Sequence, residues 1–224
     1  MRERAYNYRI KMAISYIKSG NFKKALLEAF RAQEAKETPE VYNIIGLAYM
    51  GLGELEKAKD SFLKAVELDP NYSEAWTNLS AYYLAKGEWK KAIEACKKAL
   101  SNKYYTKPEV AFTNMARAYL MLGDEKKAVE YWVKSLRYNT YYVPAYESLI
   151  DYYMAKDDIA KARAYLEDAK ALELNSPGIM FYDAIFKMRD GNTVEAERIL
   201  SKIVRDYPLT VWAKRARVYL DAMR

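Results

Sequence analysis

The sequence predicts an all-α fold, a solenoid of about six helix-turn-helix repeats in a right-handed superhelix, closed by a C-terminal capping helix. Three observations predict it. All six prolines recur at regular intervals: Pro39, Pro70, Pro108, Pro144, Pro177 and Pro208. Five of the eight glycines, Gly20, Gly53, Gly87, Gly123 and Gly191, sit midway between junctions. The period is about 34 residues, within the range of helical repeats. Proline starts or stops a helix and glycine permits the left-handed turn after one. The punctuation therefore reads helix, tight turn, helix, proline junction.

The repeats are expected at about 6–38, 39–72, 73–108, 109–142, 143–176 and 177–209, with the cap at 210–223 and a single domain over 1–224. Repeat one keeps Met12, Ala13, Tyr16, Gly20, Ala25 and Ala32. Repeat two is the clearest. Its first helix carries Tyr42, Ile45, Gly46 and Tyr49; Gly53 makes the turn; its second helix carries Ala58, Phe62 and Ala65 before Asp69-Pro70-Asn71. These residues resemble the tetratricopeptide-repeat (TPR) consensus at every signature position. Repeat three follows with Trp76, Leu79, Ser80, Tyr83, Gly87, Ala92, Cys96 and Ala99, and repeat four with Phe112, Met115, Ala116, Tyr119, Gly123, Ala128, Trp132 and Ser135. Repeat five has Tyr146, Leu149, Tyr153, Ala162, Leu166 and Ala169, with Asp157 in place of the turn glycine; Asp tolerates the left-handed region better than most residues. Repeat six keeps Ala184, Gly191, Ala196, Leu200 and Pro208.

The spacing has a physical cause. Large residues on one face of each first helix meet the aromatic of the second. Small residues such as Gly46, Ala92 and Ala128 let two helices approach where they cross. One pair cannot bury its apolar face alone, so stacking supplies the core. Lys214, Arg215 and Arg217 on the last helix suit a solvated outer face, and with Arg224 they make the end the most basic stretch.

Composition narrows the function. There is no histidine, which removes the commonest general base and metal ligand. Cys96 stands alone, so neither an intramolecular disulfide nor a cysteine-based zinc site is available. It occupies the position of Phe62 and Trp132, where a buried packing role is expected. The acids Glu54, Asp124, Asp157 and Asp158 fall at turns, where they help start a helix rather than assemble a site. No metal, cofactor or catalytic residue is expected, and the chain is read as a non-enzyme. The formal charge is +7, but the bases are dispersed, which argues against nucleic acid as partner. No run approaches the roughly 18 apolar residues of a membrane span.

Two features point to protein binding. The 22 tyrosines include the junction pairs Tyr104-Tyr105 and Tyr141-Tyr142, and Tyr82 and Tyr152 where the consensus is small; they suit either packing or a binding edge. In TPR proteins the concave surface is lined by the second, fifth, ninth, twelfth and thirteenth positions of each first helix. Here these include Ile10, Ile14 and Ile17 in repeat one, Asn43, Leu47 and Met50 in repeat two, and Thr77, Ala81 and Leu84 in repeat three. Such an apolar lining suits either packing between neighbouring helices or a groove for an apolar or amphipathic segment.

The junction Lys98-Ala-Leu-Ser-Asn-Lys-Tyr-Tyr-Thr-Lys-Pro-Glu-Val-Ala-Phe-Thr-Asn-Met makes the third repeat longer than its neighbours. With Lys134-Ser-Leu-Arg-Tyr-Asn, Tyr141-Tyr-Val-Pro-Ala-Tyr and Asp206-Tyr-Pro-Leu, it resembles the PilF/PilW family of type IV pilus biogenesis proteins. That resemblance implies a pilotin, a lipoprotein of the outer membrane's inner leaflet that helps the pilus secretin localise and assemble. The expected partner is then a secretin subunit and the expected state a monomer. The sequence carries no lipobox cysteine. The pilotin reading therefore expects a signal and lipid anchor removed from this chain, and a place on the periplasmic face of the outer membrane. The alternatives are a cytoplasmic TPR adaptor or a TPR scaffold that regulates an enzyme partner.

Overall fold

The computed structural model describes residues 2–223; Arg224, the last of the expected C-terminal bases, lies outside them. Thirteen helices occur among the described residues, and no strand. They are α1 (Arg2–Lys18), α2 (Phe22–Ala35), α3 (Pro39–Gly51), α4 (Leu55–Leu68), α5 (Ser73–Ala85), α6 (Trp89–Ser101), α7 (Pro108–Met121), α8 (Glu125–Tyr138), α9 (Val143–Ala155), α10 (Ile159–Ala171), α11 (Pro177–Arg189), α12 (Thr193–Asp206) and α13 (Val211–Ala222). The boundaries follow the punctuation. Pro39 and Pro177 open their helices behind Thr38 and Ser176, whose hydroxyls accept from the amides of Val41 (3.2 Å) and Ile179 (3.0 Å). This satisfies donors that a helix start otherwise leaves unpaired. The turn backbone is left-handed at Gly53 (φ +78°), and Asp157 adopts the same region at φ +57°. Asp124 and Asp158 accept from the amides of Lys127 and Lys161, as expected of helix-starting acids. Glu54 makes no such cap; its carboxylate pairs with Lys57 at 2.5 Å.

The chain divides into two compact units, Met1–Tyr131 and Trp132–Arg224, with the division inside α8. In the N-terminal unit α1 packs on α2, α3 on α4 and α5 on α6, and each second helix packs on the first helix of the next repeat. The first helices also touch one another, α1 with α3, α3 with α5 and α5 with α7, so they form a layer. Small residues allow this closeness. Gly46 is buried, and a Cβ there would overlap the Phe62 ring; Ala92 and Ala128 are fully buried. Cys96 is buried as well, and loss of solvation pushes its thiol up to about 12. Glu28 is buried beside Arg9 (2.7 Å) and Arg31 (2.8 Å). Burial opposes its ionisation, but hydrogen bonds and charge from the two guanidiniums prevail and hold its carboxyl below the usual range.

In the C-terminal unit α9 pairs with α10 and α11 with α12, and α13 packs on both α11 and α12. The expectation that Arg215 faces solvent is corrected. Lys214 and Arg217 are exposed, but the Arg215 guanidinium lies over Phe181 (4.8 Å) and Trp212 (4.9 Å) and reaches Asp151 at 3.3 Å. The faces of these rings, one from α11 and one from α13 itself, attract the cation and hold it at the protein surface. Beside it, Glu147 accepts from the Ser176 hydroxyl at 2.9 Å, and a Cβ at Gly178 would overlap its carboxyl. Burial, with the nearby Asp151 carboxylate, pushes Glu147 above the ordinary carboxylate range, against the Ser176 hydrogen bond and Arg215. A raised native pKa means that ionisation opposes folding. The associated stability is fully present below the unfolded pKa and is lost as pH rises through the native one. Glu147→Gln, which keeps the acceptor oxygen, is expected to raise the melting temperature at neutral pH and to lose that advantage near pH 4. A gain that is equal at both pH values would refute the assignment.

Candidate functional site

The first-helix layer of the N-terminal unit sorts the expected groove residues by position. Those at the fifth position are buried: Ile10 is 5% exposed, Asn43 6% and Thr77 4%. This corrects their expected place on an open lining, because these residues join the helices of the layer to each other. Ile10 packs with Tyr6, Ala13, Val41, Ile44 and Ile45. Asn43 accepts from the Asn78 amide at 2.7 Å, tying α3 to α5. Thr77 donates to the Ser73 carbonyl at 2.9 Å and shares a hydrogen bond of 2.9 Å with the Tyr105 hydroxyl. Asn114 continues the row, donating to Ser80 Oγ at 2.8 Å and so tying α5 to α7. Each buried polar group in this row has a partner, which makes it a source of rigidity rather than a binding surface.

The ninth and twelfth positions behave differently. Ile14, Ile17, Leu47, Met50, Ala81 and Leu84 are all half-buried. Leu47 and Met50 rest against the core of repeat two with part of their surface left to solvent. Between α5 and α7 this face opens into a cavity of about 310 Å³ lined by Ala81, Leu84, Ala85, Trp89, Arg117, Leu120 and Met121. Arg117 is the one charged group of that lining and has no ion pair among the described residues. Met121 is 57% exposed. Sequence reasoning stopped at the third repeat and missed Arg117, Leu120 and Met121, although they hold the same helix positions in the fourth. Trp89 comes from α6 and had no signal in that periodicity.

The tyrosines divide as well. Tyr82 is buried, and its hydroxyl donates to Glu56 at 2.9 Å. Glu56 also receives Lys59 and Lys86, and these hydrogen bonds hold its carboxyl down to about 2. Tyr105 is spent on Thr77, whereas Tyr104 and Tyr141 project into solvent. Among the described residues no three His, Cys, Asp or Glu side chains group as metal ligands.

Residues 39–72 and 61–94 each match a family model for the tetratricopeptide repeat. These repeats are tetratricopeptide repeats. PYG7, a chloroplastic TPR domain-containing protein of Arabidopsis thaliana, is 35% identical over 65 residues. That match covers 29% of this chain and 22% of PYG7, so the chain spans about a fifth of the length of that relative. The solved structure of PilF from Pseudomonas aeruginosa is similar over 97% of this chain and 99% of its own, with a TM-score of 0.72 and 17% identity. PilW, a widely conserved type IV pilus biogenesis factor, is similar over 94% and 97% with a TM-score of 0.73 and 18% identity. At those identities the likeness is one of fold. TPR repeat proteins are generally non-catalytic protein-binding scaffolds, and this chain shares their fold. No helix among the described residues is long and apolar enough to cross a membrane.

Proposed function

We propose that this TPR chain is a non-enzymatic assembly factor of pilotin type, which holds a segment of the type IV pilus secretin on the first-helix face of its N-terminal unit. The observation that carries the binding site is the half-buried apolar row Ile14, Ile17, Leu47, Met50, Ala81 and Leu84, which runs into the cavity between α5 and α7. The pilus assignment draws on the fold shared with PilF and PilW over nearly the whole chain and on the long third-repeat junction. In this reading the protein works as a monomer on the periplasmic face of the outer membrane, tethered by a lipid anchor outside the present sequence.

The energetics suit a modest affinity. Fully burying a Leu-sized side chain contributes roughly 1.5–3 kcal/mol, and a half-buried one about half of that. Five such anchors contribute about 4–7 kcal/mol, comparable with the several kcal/mol lost on association, so this row by itself supports only a weak affinity. Because the contribution is apolar, binding should depend weakly on salt, unlike a basic-surface mechanism. The test is the double variant Ile14→Asp with Leu47→Asp, checked for retained helicity and melting, in a pull-down of the purified secretin. Capture is expected to fall at least about tenfold, the effect of 1.4 kcal/mol. Undiminished capture by the folded variant would remove this face from the account, and absence of capture by the unaltered chain would remove the secretin.

A further inference from the structure

We infer that repeat six carries a second binding site, on the C-terminal unit, for an aromatic side chain presented by a partner protein. The basis is a comparison of the repeats within this chain. The fourth position of the first helix is aromatic in repeats two to five: Tyr42, Trp76, Phe112 and Tyr146. These rings act as wedges. Tyr42 packs against the core on either side of it, and so does Trp76. Phe112 and Tyr146 are buried, at 5% and 4% exposure. In repeat six the same position holds Met180, an unbranched side chain with no ring.

The space left by the missing ring is present. A cavity of about 470 Å³ is lined by Met180, Asp183, Glu195, Arg198, Ile199, Ser201, Lys202 and Arg205. A second, of about 280 Å³, lies on the α10 side and shares Met180 and Asp183. Met180 and Ile199, both half-buried, supply the apolar walls of the larger one.

The charge above the cavity follows the same repeat logic. In repeat three the Lys98 ammonium sits over the Trp76 ring, 4.9 Å from its centroid. Lys64, Lys134 and Lys202 stand at the corresponding place relative to Tyr42, Phe112 and Met180; repeats one and five carry Arg31 and Asp168 there. Repeat six has therefore kept the lysine and lost the ring beneath it. The neighbouring charges are occupied: Arg198 pairs with Glu195 (2.7 Å), Arg205 with Asp206 (2.8 Å) and Asp183 with Lys170 (2.9 Å). Lys202 has no ion pair, hydrogen bond or ring contact among the described residues. A Phe, Tyr or Trp ring from a partner would cover the apolar walls of Met180 and Ile199 and give Lys202 the π-face that its counterpart in repeat three already has. An aliphatic side chain would supply only the first of these.

The experiment uses the full chain labelled at methionine and isoleucine methyl groups. The resonances of Met180 and Ile199 are followed by NMR during titration with N-acetyl-tryptophanamide and, separately, with N-acetyl-leucinamide. The ring-bearing probe is expected to shift both methyls upfield in a saturable way, the leucine probe to leave them nearly unmoved, and Lys202→Gln to weaken the response severalfold. Met180→Trp supplies the ring from within the chain. It is expected to abolish the response of Ile199 and to raise the melting temperature, with Met180→Phe as the smaller replacement should Trp not fold. Equal responses to the two probes, or an unchanged Ile199 response in the folded Phe variant, would overturn the site. Shifts of the Met180 methyl that depend on protein concentration without any probe would assign the cavity to a second copy of this chain and overturn the partner reading.

Discussion

Phe62→Ala is expected to cost about 3–5 kcal/mol, the usual loss when a buried aromatic is truncated. The ring is fully buried in the core of repeat two and closes directly on Gly46 of the facing helix. That contact makes the prediction sharper than a cavity argument, because the effect of a methyl group at Gly46 should change sign. In the unaltered protein Gly46→Ala drives its Cβ into the ring and should cost about 1–3 kcal/mol by overpacking. In the Phe62→Ala background the same Cβ enters vacated space, and alanine's helix propensity favours it by up to about 1 kcal/mol. The double variant is therefore expected to be more stable than Phe62→Ala alone. Urea unfolding followed by circular dichroism measures all four proteins. If Gly46→Ala destabilises both backgrounds equally, the ring is not what keeps that position small.

Trp132→Ala should lose a similar amount, about 3–5 kcal/mol. Trp132 is 1% exposed at the start of the C-terminal unit, its ring tilted against Tyr152 at 5.9 Å. Its indole Nε1–H is buried and has no hydrogen-bond partner among the described residues. An unpaired buried donor costs about 1–3 kcal/mol. Trp132→Phe removes that donor while keeping most of the apolar bulk, so it is expected to cost well under half of what Trp132→Ala costs. The same urea series decides it: equal losses in the two variants would refute the prediction.

The sequence determined the repeat, because what defines it is local. Proline restricts its neighbours, a left-handed turn selects glycine or Asp157, and a helix crossing admits only Gly46, Ala92 or Ala128; each constraint leaves its mark at a fixed place in the chain. The thirteen helices follow from those marks, and so does the burial of Cys96 and Trp132. Which apolar residues of the first helices remain open was decided only in three dimensions. Ile10 and Ile14 are the same residue one helical turn apart, yet one is buried between helices and the other is half-open. Periodicity places both on one face, and only the contact of α1 with α3 separates them. Arg215 shows the same limit. Its neighbours in sequence suggest a solvated face, whereas Phe181 and Asp151, distant along the chain, draw it onto the aromatic surface. Met180 combines the two levels: its departure from the repeat is written in the sequence, but the cavity beside it, with Lys202 in its lining, exists only because α11 and α12 pack as they do.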